Sequence, residues 1–586
     1  MTTIGRSSDT AGNNSSALLT PGARRACISC AKLKEKCIPH ELPHVTNDCK
    51  RCYRLGKTCV APEPRKRRKL ADKRPSNTVQ ETAIYPSPAS SDTPVFCRPV
   101  YPVAPRASED QRPVSATLSG LGTSRKAALF RTFLDELDPF YPFLALEGDL
   151  RDHAVCEEKL PFTFATCLAA ALHREMTIQK AVLRDILTHI SESMFVYGQK
   201  SLDILQGVNV LLAFYALHHQ RNAQLMNLVF LGKALLTDLG LSKPRVPTPS
   251  FALAKDMNTM MHGSGEDDNA HGLPGIRMLM SCWYAQAQLS IAFRVLEYPV
   301  WTDQHEERLQ KLRVESVLPS DIKLIKTIRV YQTISRYLAT DGIRPSRTFP
   351  VSAYTRCFHD DLTRFRNSLP FELISDPLLR SLIATAEIAL YDVCVPKDTS
   401  PDTAALTPAS NVETLSALHA LLISVGSWYE AFLALKTDAV PCLTFLHMSQ
   451  ASHATDILAK LSFLQLEGWD LTYVRTQHSL SAMLEKMMDK FEDVFLSERT
   501  RFPDLEMGRF AVYVMKLRNC KKWYEERLTA EAKEKQQVPP VDKSDYSPSV
   551  NSTFQIPGGL PDWEFGLWPE LGDISTWSQE VGFGAR

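Results

Sequence analysis

The sequence predicts a mostly α protein in three parts: a small cysteine-centred module, a disordered linker and a large all-α domain. Three observations carry that expectation. Six of the 14 cysteines fall between Cys27 and Cys59. Eight prolines, with many Ser and Thr, fall between Pro75 and Ser115. From about Ser119 to Lys535 apolar residues recur at steps of three and four, the period of a helix with one buried face. At 586 residues the chain is too long for one compact core, so two or more folded units are expected.

Residues 1–22 are polar and read as a disordered N-terminus, with no apolar run long enough for a signal peptide. Thiols in a chain that is not exported stay reduced, and clustered cysteines then read as metal ligands before disulfides. The formal net charge of +1 hides an asymmetry. Arg24 to Arg74 holds 16 Lys and Arg against 5 Asp and Glu, while the rest carries 51 basic and 61 acidic residues. A basic block on an otherwise acidic protein points to a polyanion partner for that block alone. The most apolar later stretch, Leu415 to Leu435, is interrupted by His419 and Glu430, so no membrane partner is expected.

The module is expected over residues 23–62. Its cysteines, Cys27, Cys30, Cys37, Cys49, Cys52 and Cys59, follow one half-motif written twice, C-x2-C-x6-C. Structural zinc takes four ligands in a tetrahedron, and sulfur suits it. Two separate sites would need eight ligands, so two ions on six thiolates require two bridging sulfurs. The first cysteine of each half, Cys27 and Cys49, is the natural choice. One zinc then takes Cys27, Cys30, Cys37 and Cys49, and the other Cys27, Cys49, Cys52 and Cys59. A redox CxxC pair, or a single zinc with two spare thiols, would leave part of the doubled spacing unused. His40 and His44, in the loop between the halves, read as solvated residues.

This pattern resembles the Zn2Cys6 binuclear cluster of fungal transcription factors, a resemblance that covers Cys27 to Cys59. It implies two Zn²⁺ per chain and double-stranded DNA as partner. In that family the helix after the second cysteine enters the major groove, and its lysine four positions on reads a CGG triplet. That lysine is Lys34 here, and a lysine can donate to guanine O6 and N7. Lys32, Lys36, Lys50 and Arg51 are cast as phosphate contacts. Ala31 and Leu33 stand where the family often carries basic residues. So small a module buries too little apolar surface to fold alone, and metal binding must supply the fold.

Residues 63–74 form a basic segment in which Arg65, Lys66, Arg67, Arg68 and Lys69 read as a nuclear localisation signal or phosphate-binding arm. Residues 75–118 read as a disordered Pro/Ser-rich linker. No sustained heptads follow the cysteines, so a coiled-coil dimer is not supported there.

The all-α region is expected over 119–535. Leu415, Leu418, Leu422, Val425, Tyr429 and Phe432 mark one apolar helix face. Ser201 can cap a helix that runs from Leu202 toward Tyr215. Another helix should stop at Gly240 in the left-handed conformation, with Leu241 folding back onto the last turn. Three segments resemble the fungal transcription factor regulatory domain, or middle homology region: Phe140 to Phe143, Ser201 to Lys243, and Met280 to Pro299. That resemblance implies an all-α regulatory domain that controls activity and sometimes binds a small-molecule effector. The region has no HExxH, GxSxG or P-loop, and Gly263-Ser-Gly265 reads as a flexible loop. The eight remaining cysteines are expected to be buried small apolar residues.

Residues 536–586 form an acidic-aromatic tail in which Asp562, Glu564, Glu570 and Asp573 alternate with Trp563, Phe565, Trp568 and Trp577. Such a segment can present aromatics to a coactivator or the transcription machinery, or dock on its own helical domain. The chain as a whole reads as a nuclear, sequence-specific regulator of RNA polymerase II transcription, and as an activator of a metabolic or secondary-metabolite pathway. Three alternatives stand beside it: a repressor, a helical scaffold, and an enzyme with a purely structural zinc module. A homodimer is left open.

Overall fold

The computed structural model describes residues 27–32, 37–38, 49–60, 113–217, 224–242, 272–294, 296–316, 318–339, 350–395, 408–503 and 509–537. They belong to two compact units, the cysteine module within Met1–Arg106 and a helical body within Ala107–Arg586. Among the described residues the regular elements are helices and there is no β-strand. None of these helices is long and apolar enough to cross a membrane.

Ser115, inside the stretch read as linker, belongs to the helical body. Its hydroxyl accepts the Leu118 backbone N–H at 3.1 Å and donates to Asp185 at 2.7 Å, and Leu118 is buried. The local signals read from sequence act as expected. Ser201 Oγ caps the helix Leu202–Ala213 by accepting the Ile204 N–H at 3.1 Å. The helix Leu225–Asp238 ends at Gly240, where φ is 69°. There the Gly240 N–H donates to the Thr237 carbonyl at 3.1 Å and the Leu241 N–H to that of Leu236 at 2.8 Å, while Leu241 is buried. These are the paired bonds of a Schellman stop.

Packing organises the helices around two apolar clusters. The first gathers side chains from Leu118 to Cys394 and includes Phe445 and Leu446. The second is built on the helices Pro408–Leu433, Phe445–Phe463, Leu480–Arg501 and Arg509–Gln537. Leu418, Leu422, Val425, Tyr429 and Phe432 lie buried in the second cluster, with Leu415 packed at its margin. The helix Pro377–Asp392 serves both, with Leu379, Leu382 and Ala386 in one and Leu378, Ala384 and Ile388 in the other. Helix Leu202–Ala213 lies close on Pro161–Ala171 because Gly207 carries no side chain: a Cβ there would come within 2.3 Å of the Phe162 ring. At the same contact Asp203 accepts the Phe162 and Thr163 N–H groups at 2.9 and 2.7 Å, capping the neighbouring helix instead of its own.

The three segments that resemble the regulatory domain meet in the core. Tyr141 and Ser281 share a hydrogen bond of 2.6 Å, and Ser281 donates to Asn209 at 3.0 Å. Phe143 stacks on Tyr284 with centroids 5.4 Å apart. The same central helix, Leu273–Phe293, holds Arg277, which is 1% exposed and donates to Asp321 at 2.9 and 2.7 Å and to Glu147 at 2.7 Å. A buried guanidinium needs such a carboxylate fork to offset its lost hydration.

The cysteine expectation is corrected in part. Cys156, Cys167, Cys394, Cys442 and Cys520 are buried, but Cys282 is half-buried and Cys357 is exposed. Cys357 lies on the helix Val351–Asn367 one position from the buried Phe358, so its neighbour takes the core position. Cys97 and the loop at Gly263-Ser-Gly265 lie outside the described residues.

Candidate metal centre and nucleic-acid interface

Each half of the module places its first cysteine immediately before a short helix, Ile28–Lys32 in one half and Lys50–Arg54 in the other. The turn aims the backbone N–H three residues on at the first sulfur. Cys30 N–H donates to Cys27 Sγ at 3.4 Å, and Cys52 N–H donates to Cys49 Sγ at 3.4 Å. The third cysteine returns to the first: Cys27 N–H donates to Cys37 Sγ at 3.5 Å, and Cys49 N–H to Cys59 Sγ at 3.4 Å. Both of these contacts in the first half therefore recur 22 residues later in the second.

The halves face each other through sulfur. The Sγ atoms of Cys27, Cys30, Cys49 and Cys52 all lie within 4.8 Å of one another, and all four residues are buried. Cys27 approaches Cys49 at 4.0 Å and Cys52 at 3.7 Å, while Cys49 approaches Cys30 at 3.7 Å. Cys37 and Cys59, half-buried, pack against the same group, Cys37 Sγ on the Cys27 N–H and Cys59 Sγ on the Cys49 N–H. A zinc tetrahedron with bonds of about 2.3 Å has sulfur–sulfur edges of about 3.8 Å, so the separations suit that ion. The six cysteines form a cluster able to bind metal.

Its electrostatics single out the first cysteine of each half. The N–H of Cys52 holds the Cys49 thiol down at about 6, and the N–H of Cys30 lowers Cys27. Burial pushes Cys30 up to about 12 and raises Cys52 as well. Metal ligation requires thiolates, and the turn N–H groups favour that form at Cys27 and Cys49.

Of the residues cast as DNA contacts, Lys32 and Lys50 are exposed on the two short helices. Arg51 is half-buried, and its charge acts to lower the Cys30 thiol against the upward push of burial, so part of its influence falls on the cluster. The sequence treated it as a phosphate contact alone; nothing in a linear pattern signals a cross-half approach. Lys34, Lys36, His40, His44 and Arg65 to Lys69 lie outside the described residues, as does the tail from residue 538.

A family described as the ATEG07667_C C-terminal domain matches residues 437–564. The chain is 24% identical over 490 residues to transcription factor opdL of Penicillium oxalicum, a match that takes in 80% of this chain and 83% of that protein. It is 27% identical over 394 residues to transcription factor himD of Aspergillus japonicus, covering 64% of this chain and 62% of the relative, or just under two thirds of its length. No solved structure matches the chain. Over much of its length the chain is thus similar to fungal proteins named transcription factors, which are not enzymes.

Proposed function

We propose that the chain is a sequence-specific DNA-binding regulator of transcription, with a binuclear zinc cluster as its reading head. The observation that carries this reading is the cross-half sulfur arrangement: Cys27 reaches Cys52 and Cys49 reaches Cys30, as two tetrahedra sharing the Cys27–Cys49 edge require. The first zinc is assigned to Cys27, Cys30, Cys37 and Cys49, and the second to Cys27, Cys49, Cys52 and Cys59. Zinc supplies the fold here. Six thiolates and two Zn²⁺ leave a net charge of −2, which the guanidinium of Arg51 helps to offset.

Around that frame Lys34 reads a CGG-type triplet, and Lys32, Lys36, Lys50 and Arg51 hold phosphates. Arg65 to Lys69 directs the chain to the nucleus. The helical body regulates, and the acidic-aromatic tail over 536–586 recruits a coactivator or the transcription machinery, which makes the protein an activator. The names of the relatives support the regulator class. Lys34→Ala tests the reading head: we expect a loss of about 1–3 kcal/mol in discrimination between CGG and mutated duplexes, with zinc content unchanged. Equal affinity of the unaltered protein for both duplexes would contradict sequence-specific reading. Fusing residues 536–586 to an unrelated DNA-binding domain tests the tail, and a silent reporter would remove the activation role.

A further inference from the structure

A cleft of about 950 Å³ opens on the surface of the helical body between the helices Asp303–Glu315, Pro319–Leu338 and Val351–Asn367. We propose that this cleft binds a small organic anion, with a carboxylate, phosphate or sulfate group carried on an apolar body. The proposal concerns the helical body alone and does not depend on the DNA-binding reading.

Its charge is the first argument. The lining carries Arg313, Lys326, Arg329, Arg336 and Arg364 against only Asp321 and Asp361. Both carboxylates are committed. Asp321 is 1% exposed and held by Arg277 at 2.9 and 2.7 Å, with Ser316 also donating to it. Asp361 is shared between Arg336 and Arg364 and also accepts the Tyr337 hydroxyl at 2.7 Å. Arg329 is matched by Glu306 through two bonds of 2.6 and 2.7 Å.

Arg313 and Lys326 remain, and among the described residues neither is paired with a carboxylate. The Lys326 ammonium has a carbonyl partner, Ser368 O at 3.4 Å. Partial burial lowers its pKa, and the charges of Arg313 and Arg329 lower it further, so the three cations are close enough to repel. An anion between them would relieve that repulsion.

The shape is the second argument. Lys326, Arg329, Thr333 and Arg336 follow one another at steps of three and four, a polar stripe on the helix Pro319–Leu338. The opposite stripe, Leu324, Ile328, Tyr331 and Ile334, is buried in the core. Beside the cations the cleft carries Trp301, Ile325, Phe365 and Ile322, and Ile322 is 55% exposed. A ligand site of this size, apolar with a few convergent charged groups, is the usual form of a small-molecule pocket.

Calorimetry on the full chain tests this with 2-naphthoate, its neutral amide and inorganic phosphate. We expect naphthoate to bind at least about tenfold more tightly than the amide, and more tightly than phosphate. In the double variant Arg313→Gln/Lys326→Gln, naphthoate affinity should fall at least about tenfold, and Lys326→Arg should retain it within about threefold. If the double variant melts early, Arg313→Gln alone carries the test, since that side chain is exposed and should weaken naphthoate without altering the melt. Three results would each overturn the proposal: acid and amide bound equally, affinity unmoved by loss of the cations in folded protein, or no heat from naphthoate. Phosphate bound as tightly as naphthoate would remove the apolar body from the recognition.

Discussion

Among the described residues of the cysteine module the buried side chains are those of Cys27, Cys30, Cys49 and Cys52, with Cys37 and Cys59 packed against them. The large apolar side chains described around them are exposed: Tyr53 is 55% exposed and Val60 51%. In the helical body the same role falls to two clusters of aliphatic and aromatic side chains, closed by buried Trp428, Tyr331 and Phe133. With metal in the cluster as proposed, the two units would be held by different forces. Sulfur–metal bonding is local, few-membered and reversible by a chelator. Apolar burial is distributed over many residues and indifferent to one.

The sharpest way to break that contrast is to remove the metal. Treating the full chain with a zinc chelator should abolish the module's fold, to which metal binding contributes about 10–16 kcal/mol in structural zinc peptides. DNA binding should vanish while the thermal transition of the helical body keeps its midpoint. A shift of that transition on chelation would show that the two units are not held independently.

The converse is a core lesion. Trp428 stacks on Phe432 with centroids 5.1 Å apart and is 1% exposed. Trp428→Ala should cost the body about 3–5 kcal/mol in denaturant titration. Zinc content should be unchanged.

Acid should act on the body through a buried histidine. His453 is 2% exposed, and burial, reinforced by the charges of Arg294 and Lys460, lowers its pKa to about 3. The unfolded chain then binds the extra proton between about pH 6.5 and pH 3. Its contribution is fully present above pH 6.5 and is lost as the pH falls through that window. Urea melts at pH 7, 6 and 5 should show stability declining with pH, and His453→Gln should flatten the slope. Smaller still is the loss of a single cap: Ser201→Ala should cost about 1 kcal/mol, read as a lowered melting temperature.

What the sequence disclosed was local. The cysteine cluster is legible because its residue type and interval repeat together within one short stretch. Ser201 and Gly240 are legible because a cap and a left-handed stop act within a few residues of themselves. The helix Pro408–Leu433 announced its buried face by period alone. Contacts between distant segments were silent. Asp203 reads as a first-turn acid on its own helix, yet it caps the helix Pro161–Ala171. Tyr141, Asn209 and Ser281 each look unremarkable in sequence and meet only in the folded core. Arg277 and Asp321 sit 44 residues apart, and the cationic cleft draws its charges from three helices. Such features depend on which helices pack together, and periodicity does not encode that.

Zinc counting on purified full-length protein tests the central claim most directly. The account predicts two zinc ions per chain, all six module thiols protected from alkylation in native buffer, and loss of both ions in Cys49→Ser, which removes a shared ligand. One ion or none per chain, with the thiols freely alkylated, would contradict it.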